Sequence, residues 1–74
     1  MSQLVLDTSG LICPLPILKA KKAMAKLGRG DVLLVIATDP GSVADFEVFC
    51  TVGGHQLKHQ SDDDGVFRFE IERG

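Results

Sequence analysis

The sequence predicts an α/β (α+β) fold of two layers, in which two helices pack on a four-stranded mixed sheet. Two observations lead to this fold class. Apolar or alternating runs, which are typical of strands, occur four times, and segments with the periodicity of amphipathic helices separate the first three of them. An Asp-Gly pair joins the last two runs, as expected for a hairpin. The 74 residues are 45% hydrophobic, and we expect a single domain over residues 1–74.

The first half of the chain reads as strand, helix and strand. Residues 3–7 alternate around two leucines and predict the first strand, which ends in a turn with the sequence Thr-Ser-Gly. A helical pattern then runs to about Leu27, with apolar residues on one face and lysines on the other. Residues 32–38 form a continuous apolar run rich in β-branched side chains, which predicts an interior strand.

The second half reads as a helix followed by two paired strands. Asp39 or Ser42 is expected to cap the helix, whose apolar stripe includes Cys50 and which ends at a Gly-Gly pair. Residues 55–60 alternate with both histidines on one side, and residues 66–73 point their aromatic side chains inward. The order β-α-β-α-β-β predicts a right-handed, parallel first unit and a final antiparallel hairpin.

Cys13 is the leading candidate for chemistry. It lies between a turn and the first helix, where the unpaired N–H groups and the helix dipole favour an anion such as a thiolate. Pro14 and Pro16 are expected to hold Cys13 and Leu15 out of the helical region, which leaves the N–H groups of Leu15 and Ile17 as candidate donors. The alternative is that Cys13 is a small buried hydrophobic residue.

Cys50 and the two histidines have simpler explanations. Cys50 shares the apolar stripe of the second helix, so packing accounts for it better than a resolving or disulfide role. His55 and His59 lie four residues apart on one strand, which is not a usual spacing for metal ligands. We therefore expect neither a metal nor a cofactor.

The lysines of the first helix are the candidate docking surface for a partner. A stripe of this kind is most often a solvated face. This one projects from the helix that begins beside Cys13, where positive charge would speed the encounter with an acidic protein. The residues of this stripe are Lys19, Lys22 and Lys26.

Charge and hydropathy predict the compartment. The net charge of −2 provides no basic field for nucleic acid, so no direct nucleic-acid binding is expected. Residues 1–7 lack the basic start and apolar run of a signal peptide, and the longest apolar stretch, residues 32–37, is too short to cross a membrane. Two cysteines do not form the disulfide framework of a secreted domain. We expect a cytoplasmic protein with free thiols and no membrane attachment.

A set of residues spread over nearly the whole chain resembles a known family. The residues that carry the resemblance are Asp7, Gly10, Leu11, the Cys13-Pro14-x-Pro16 element, Gly30-Asp31 and Asp39-Pro40. Together with the predicted element order they resemble the TusA/SirA-like sulfur carriers. The segment Phe49-Cys50-Thr51 with His55 is similar to the TusA branch in particular.

This resemblance implies an open-faced sandwich and a persulfide on Cys13, supported at the start of the helix by Asp7, Gly10, Pro14 and Pro16. It implies a carrier rather than a self-contained enzyme, with a cysteine desulfurase or another sulfur donor and a downstream sulfur-accepting carrier as partners. Destinations in the family include the 2-thio group of tRNA wobble uridines and dissimilatory sulfur pathways. Because an open-faced sheet is covered on one side only, the apolar second strand is expected to leave some apolar surface exposed.

Three other functions stay open on the sequence. The first is a regulatory or scaffolding module that binds a partner without carrying sulfur. The second is a thiol redox switch, which requires the sulfur atoms of Cys13 and Cys50 within bonding distance. The third is RNA binding, which the net charge and the absence of Tyr and Trp disfavour.

Overall fold

Four strands and two helices follow one another in the predicted order. The computed structural model describes residues 3–12 and 14–74, so that Met1, Ser2 and Cys13 lie outside the described residues. In chain order the elements are β1 (Gln3–Thr8), α1 (Leu15–Ala25), β2 (Val32–Ala37), α2 (Ser42–Gly53), β3 (Gln56–Asp63) and β4 (Val66–Glu72).

The sheet has the order β1-β2-β4-β3. β1 and β2 are parallel, from Gln3 opposite Val32 to Thr8 opposite Ala37, and α1 is the crossover that such a pair needs. β4 runs antiparallel to both of its neighbours. β2 therefore lies inside the sheet, which explains its apolar composition. The predicted fold class, a two-layer sandwich with a mixed sheet, is confirmed.

The hydrophobic core lies between the sheet and the two helices, which pack on the same face. Phe46 of α2 and Phe69 of β4 are fully buried, and their rings stack with centroids 4.8 Å apart. Burial of one such side chain contributes about 2–3 kcal/mol, so this pair anchors α2 on the sheet. The other buried apolar residues are Ala20, Ala23, Met24, Leu27, Leu33, Val35, Ala37, Cys50, Phe67 and Ile71.

The opposite face of the sheet is open in the described part of the chain. On this face Val5 of β1 is 59% exposed and lies opposite Leu34 of β2, which is half-buried like Ile36. Charged side chains of β4, including Glu70, lie beside this apolar strip. The expectation that the apolar second strand leaves apolar surface exposed is confirmed.

The start of α2 differs from the prediction. α2 begins at Ser42, so that Gly41, rather than Asp39 or Ser42, takes the capping position. Ser42 is the first residue of the helix and is buried, and its hydroxyl has no hydrogen-bond partner among the described residues. The Asp39 carboxylate instead accepts a hydrogen bond from the Gly41 N–H at 3.1 Å. The predicted end is confirmed, since Gly54 follows the helix with φ 72°.

The β3–β4 hairpin has the predicted turn but a different register. Asp64 and Gly65 have φ 53° and 84°, as a type I′ turn requires. A bulge between Leu57 and His59 inserts one residue into β3, after which Gln60 rather than His59 lies on the face of Leu57. The expectation that His59 shares one side with Leu57 and His55 is therefore wrong, because period-two alternation does not continue through a bulge.

Candidate functional site

The candidate site lies at the edge of the sheet where the two parallel strands end. Residues 9–14 follow β1 and residues 38–41 follow β2, so the two loops leave the sheet side by side. Clefts at the carboxyl ends of parallel strands are common binding sites. The predicted carrier residue Cys13 lies outside the described residues, and its neighbours Ile12 and Pro14 are both exposed.

Hydrogen bonds fix the loop that leads to Cys13. Three successive backbone N–H groups each have a partner: that of Ser9 donates to an Asp7 carboxylate oxygen at 2.9 Å, that of Gly10 to Thr38 Oγ1 at 2.9 Å, and that of Leu11 to the Thr8 carbonyl at 3.1 Å. Gly10 has φ 79°, a conformation that favours glycine. The bond to Thr38 joins the two loops, and nothing local in the sequence indicates it.

Asp7, a predicted supporting residue, is exposed near the end of β1. Hydrogen bonds from the Ser9 hydroxyl and the Ser9 N–H lower the pKa of Asp7 below its usual value. The carboxylate therefore stays ionised and holds the turn that precedes Gly10. Asp7 acts on the site through the shape of the loop.

The start of α1 corrects two expectations. Leu15 is the first helical residue although Pro16 follows it, because proline is tolerated within the first helical turn. Pro14 takes the capping position with φ −98° and ψ 15°, and Pro16 is buried. The Leu15 N–H donates to the Ile12 carbonyl at 2.9 Å, so this group is already paired.

Exposed apolar side chains surround the loop. Ile12 is 70% exposed, and Leu15 and Leu18 at the start of α1 are 44% and 48% exposed. Large apolar residues exposed as a group often mark protein-binding surfaces. No local pattern indicates this group, although Leu15 lies within the Pro14-x-Pro16 element and Leu18 follows shortly after it.

The two helices enclose a groove that begins next to Cys13 in sequence. The groove has a volume of about 620 Å³ and starts at Pro14. Ile17 and Met24 of α1 and Phe49 of α2 line it with apolar atoms, and Lys21 adds a positive charge. The predicted lysines Lys19, Lys22 and Lys26 are exposed but do not line it. Lys21 was missed because it directly precedes Lys22, and neighbouring residues of a helix point about 100° apart.

Residues near the end of β4 and the start of β3 also line the groove, among them Arg73 and His55. Arg73 Nε donates to the Met24 carbonyl at 3.2 Å, and the Gly74 N–H donates to His55 Nδ1 at 3.1 Å. The His55 ring lies 5.4 Å from the Phe49 ring. Partial burial, and to a lesser degree the positive charge of Arg73, lower the pKa of His55. These contacts make His55 a structural residue rather than an exposed strand histidine.

Cys50 lies in the core, as the sequence suggests. Its side chain is 4% exposed, and burial raises the pKa of the Cys50 thiol. A neutral, buried thiol is a poor nucleophile. The relation of Cys50 to Cys13 lies outside the described residues.

Among the described residues, no group of three His, Cys, Asp or Glu side chains could hold a metal ion. No helix within residues 3–12 and 14–74 is long and apolar enough to cross a membrane.

Fold and site together define a small α+β sandwich in which the loop after the first strand, carrying one cysteine in its sequence, leads into a helix that starts with Pro-x-Pro. The family described as Sulfurtransferase TusA matches residues 4–73, and the chain belongs to this family. The resemblance of the sequence to the TusA/SirA-like carriers is thereby confirmed.

Individual relatives agree with this assignment. Sulfur carrier protein TusA of Allochromatium vinosum is 52% identical over 68 residues, which cover 92% of this chain and 90% of that protein. Sulfur carrier protein TusA of Pseudomonas putida strain GB-1 is 41% identical over 69 residues, covering 93% and 86%. The crystal structure of a SirA-like protein from Desulfitobacterium hafniense superimposes with a TM-score of 0.84 at 32% identity, covering 96% and 97%.

Proposed function

We propose that this protein is a sulfur carrier that holds sulfur as a persulfide on Cys13. The observation that carries the proposal is the Cys13-Pro14-x-Pro16 element in a chain of the TusA family. The exposure of Ile12 and Pro14 supports it, because a carrier group must be reached by another protein. The hydrogen-bonded loop before Ile12 also supports it, since a fixed loop presents its end in a defined position.

The proposed cycle consists of two thiol exchanges. The Cys13 thiolate attacks the terminal sulfur of a persulfide on the donor, the donor S–S bond breaks, and the donor leaves as a thiolate. In the second exchange an acceptor thiolate attacks the outer sulfur of the Cys13 persulfide, and the Cys13 thiolate leaves. Sulfur moves with no net oxidation or reduction, so neither exchange requires a cofactor.

The proposed donor is a cysteine desulfurase, and the proposed acceptor is a further carrier protein. The pathway is thiolation of tRNA to 2-thiouridine or another sulfur transfer, and the reducing cytoplasm is the compartment that keeps Cys13 as a thiol. The printed names of the relatives, sulfur carrier protein TusA, support sulfur carriage. Lys19, Lys22 and Lys26 are the proposed docking cations, together with the apolar residues around the loop.

A mass measurement tests the assignment of the carrier residue. Incubation with a cysteine desulfurase and cysteine should add one sulfur atom to the intact mass of the Cys50→Ser variant, and a reductant should remove it. The Cys13→Ser variant should gain none. Sulfur on Cys13→Ser would overturn the assignment. A partner that binds Cys13→Ala with unchanged affinity and unchanged cellular effect would favour the regulatory module instead.

A further inference from the structure

The two edges of the sheet differ in how they are protected against pairing with another strand. β3 carries the bulge between Leu57 and His59, and it carries Lys58 and a run of aspartates, which are the usual devices against edge pairing. β1 pairs with β2 in an unbroken register, has neither a bulge nor a proline nor a lysine, and carries a single charged residue, Asp7, near its end. Within the described residues, β1 is therefore the edge strand that is less protected against pairing with an added strand.

The side chains of β1 suit a strand lying beside it. Every second residue of an edge strand directs its backbone N–H and C=O outward, where an added strand can bond to them. Val5 is 59% exposed on the open face of the sheet. Leu4 and Leu6 lie on the core face and are half-buried, so they retain apolar surface for a neighbouring strand. An added strand would therefore find apolar contacts on both faces.

The lysine stripe of α1 lies above this edge. α1 packs on β1 and β2, whereas α2 packs on β3 and β4. Ile17, Lys21 and Ala25 face α2 across the groove, so the opposite flank of α1 lies towards the β1 edge. The residues of that flank are Lys19, Lys22 and Lys26, all of them exposed. α1 contains no acidic residue to balance them.

The positive charge of the lysine stripe determines which kind of partner the β1 edge favours. If a second copy of this chain paired through β1, the two α1 helices would bring their lysine stripes towards each other, and like charges facing across an interface oppose association. An acidic segment would instead meet the stripe with opposite charge. The lysines thus disfavour a symmetric dimer and favour an acidic partner.

We propose that β1 is a docking edge for an extended acidic segment of a partner protein, which adds to the sheet as a fifth strand beneath the lysine stripe. The acidic side chains of the segment face Lys19, Lys22 and Lys26, and its alternate side chains lie beside Val5 on the open face. The docked segment runs along the strand that leads into residues 9–12. This binding goes beyond sulfur carriage, because no step of it involves Cys13.

The direct test uses an eight-residue peptide of four Glu-Val repeats and the Cys13→Ser protein, which removes thiol chemistry from the measurement. We expect the peptide to bind with an affinity that falls as salt is added, and to protect alternate amides of β1 from hydrogen exchange in NMR spectra. A peptide of four Lys-Val repeats should not bind. Equal binding of both peptides, or protection only outside β1, would overturn the proposal.

Charge reversals on α1 give a matched comparison. Reversing both Lys19 and Lys22 to Glu should weaken binding of the Glu-Val peptide about fivefold or more, whereas Lys21→Glu on the groove side should change it less than about twofold. All three side chains are exposed, so folding should be unaffected. Equal losses in the two variants would contradict the geometry. A wild-type dimer in analytical ultracentrifugation that protects β1 would show that a second copy is the occupant, against the proposal.

Discussion

At the scale of single residues, folding makes one of the two thiols unreactive. Cys50 packs in the core stripe of α2, where burial keeps its thiol neutral. The sequence suggested this position because Cys50 falls at helical spacing from Phe46. The same reasoning predicts that Cys13 is the thiol available for exchange, since its position in the sequence is outside any apolar stripe.

Alkylation should separate the two thiols. In the native wild type, iodoacetamide should label Cys13 first, and Cys50 only at the rate of local or global opening. Cys50→Ala should retain one fast-reacting thiol and lose about 1 kcal/mol of unfolding free energy through the lost packing. Peptide mapping after timed labelling measures the rates. Fast labelling of native Cys50 would contradict its burial.

His55 should make stability depend on pH. Its pKa in the folded protein is lowered from 6.5, so the unfolded chain binds the proton more readily. The contribution of neutral His55 is present above pH 6.5 and is lost as the pH falls through 6.5 towards the lowered value. Urea midpoints at several pH values should therefore fall on acidification, and His55→Gln should reduce this fall. His59→Gln is the control, since His59 is exposed; an equal effect in both variants would contradict the assignment.

The residues that position the candidate loop are predictable from the sequence, but their long-range contacts are not. Gly10 and the two prolines could be named from the sequence, because turns and helix starts have local signatures. The bond from Gly10 to Thr38 joins residues 28 positions apart. Such a partner is decided by how β1 and β2 align, and no local pattern contains that information.

At the scale of elements, glycines lie at both ends of α2. Gly54 ends α2 with φ 72°, in the left-handed region that a side chain disfavours. Gly41 at the other end of the same helix has φ −65°, which any residue adopts. The two positions thus predict opposite results for the same substitution.

Gly54→Ala should lower the unfolding free energy by about 1 kcal/mol, because alanine must adopt the left-handed conformation. Gly41→Ala should be neutral or stabilising by up to about 1 kcal/mol, since it reduces the entropy of the unfolded chain. Urea unfolding of both variants measures the difference. A Gly54→Ala protein as stable as wild type would mean that the end of α2 does not need this conformation.

The strands were predictable in number and type but not in register. Val66 to Glu72 alternates without interruption, and its buried residues are the predicted ones. β3 alternates equally well in sequence, yet its bulge moves His59 away from the face of Leu57. A bulge depends on how two strands fit each other, so the sequence of one strand does not reveal it.

At the scale of the whole molecule, positive and negative charge are concentrated on different elements. α1 and its C-cap residue carry four lysines and no acid, whereas the β3–β4 hairpin carries five of the ten acidic residues. A chain with a net charge of −2 therefore presents a basic helical side next to the loop of Cys13. Local fields of this kind steer association even when the net charge has the opposite sign.

Sulfur transfer from a desulfurase should respond to charge on the helical side. Lys21→Glu, in the groove that starts at Pro14, should reduce the transfer rate at low carrier concentration by about threefold or more, and added salt should reduce the wild-type rate. Lys58→Glu makes the same change in net charge on β3 and should leave transfer nearly unchanged. Equal rates for both variants would show that partners do not approach over α1.

The sequence by itself determined the order and type of the elements, the hairpin turn, the core stripes and the proline motif around Cys13, because each depends on residues within one or two turns of each other. Tertiary structure decided the order of the strands, the register of β3, the groove with Lys21, and the contacts of Arg73 and Gly74. These features join residues far apart in the chain, and packing between layers, which no periodic pattern records, brings them together.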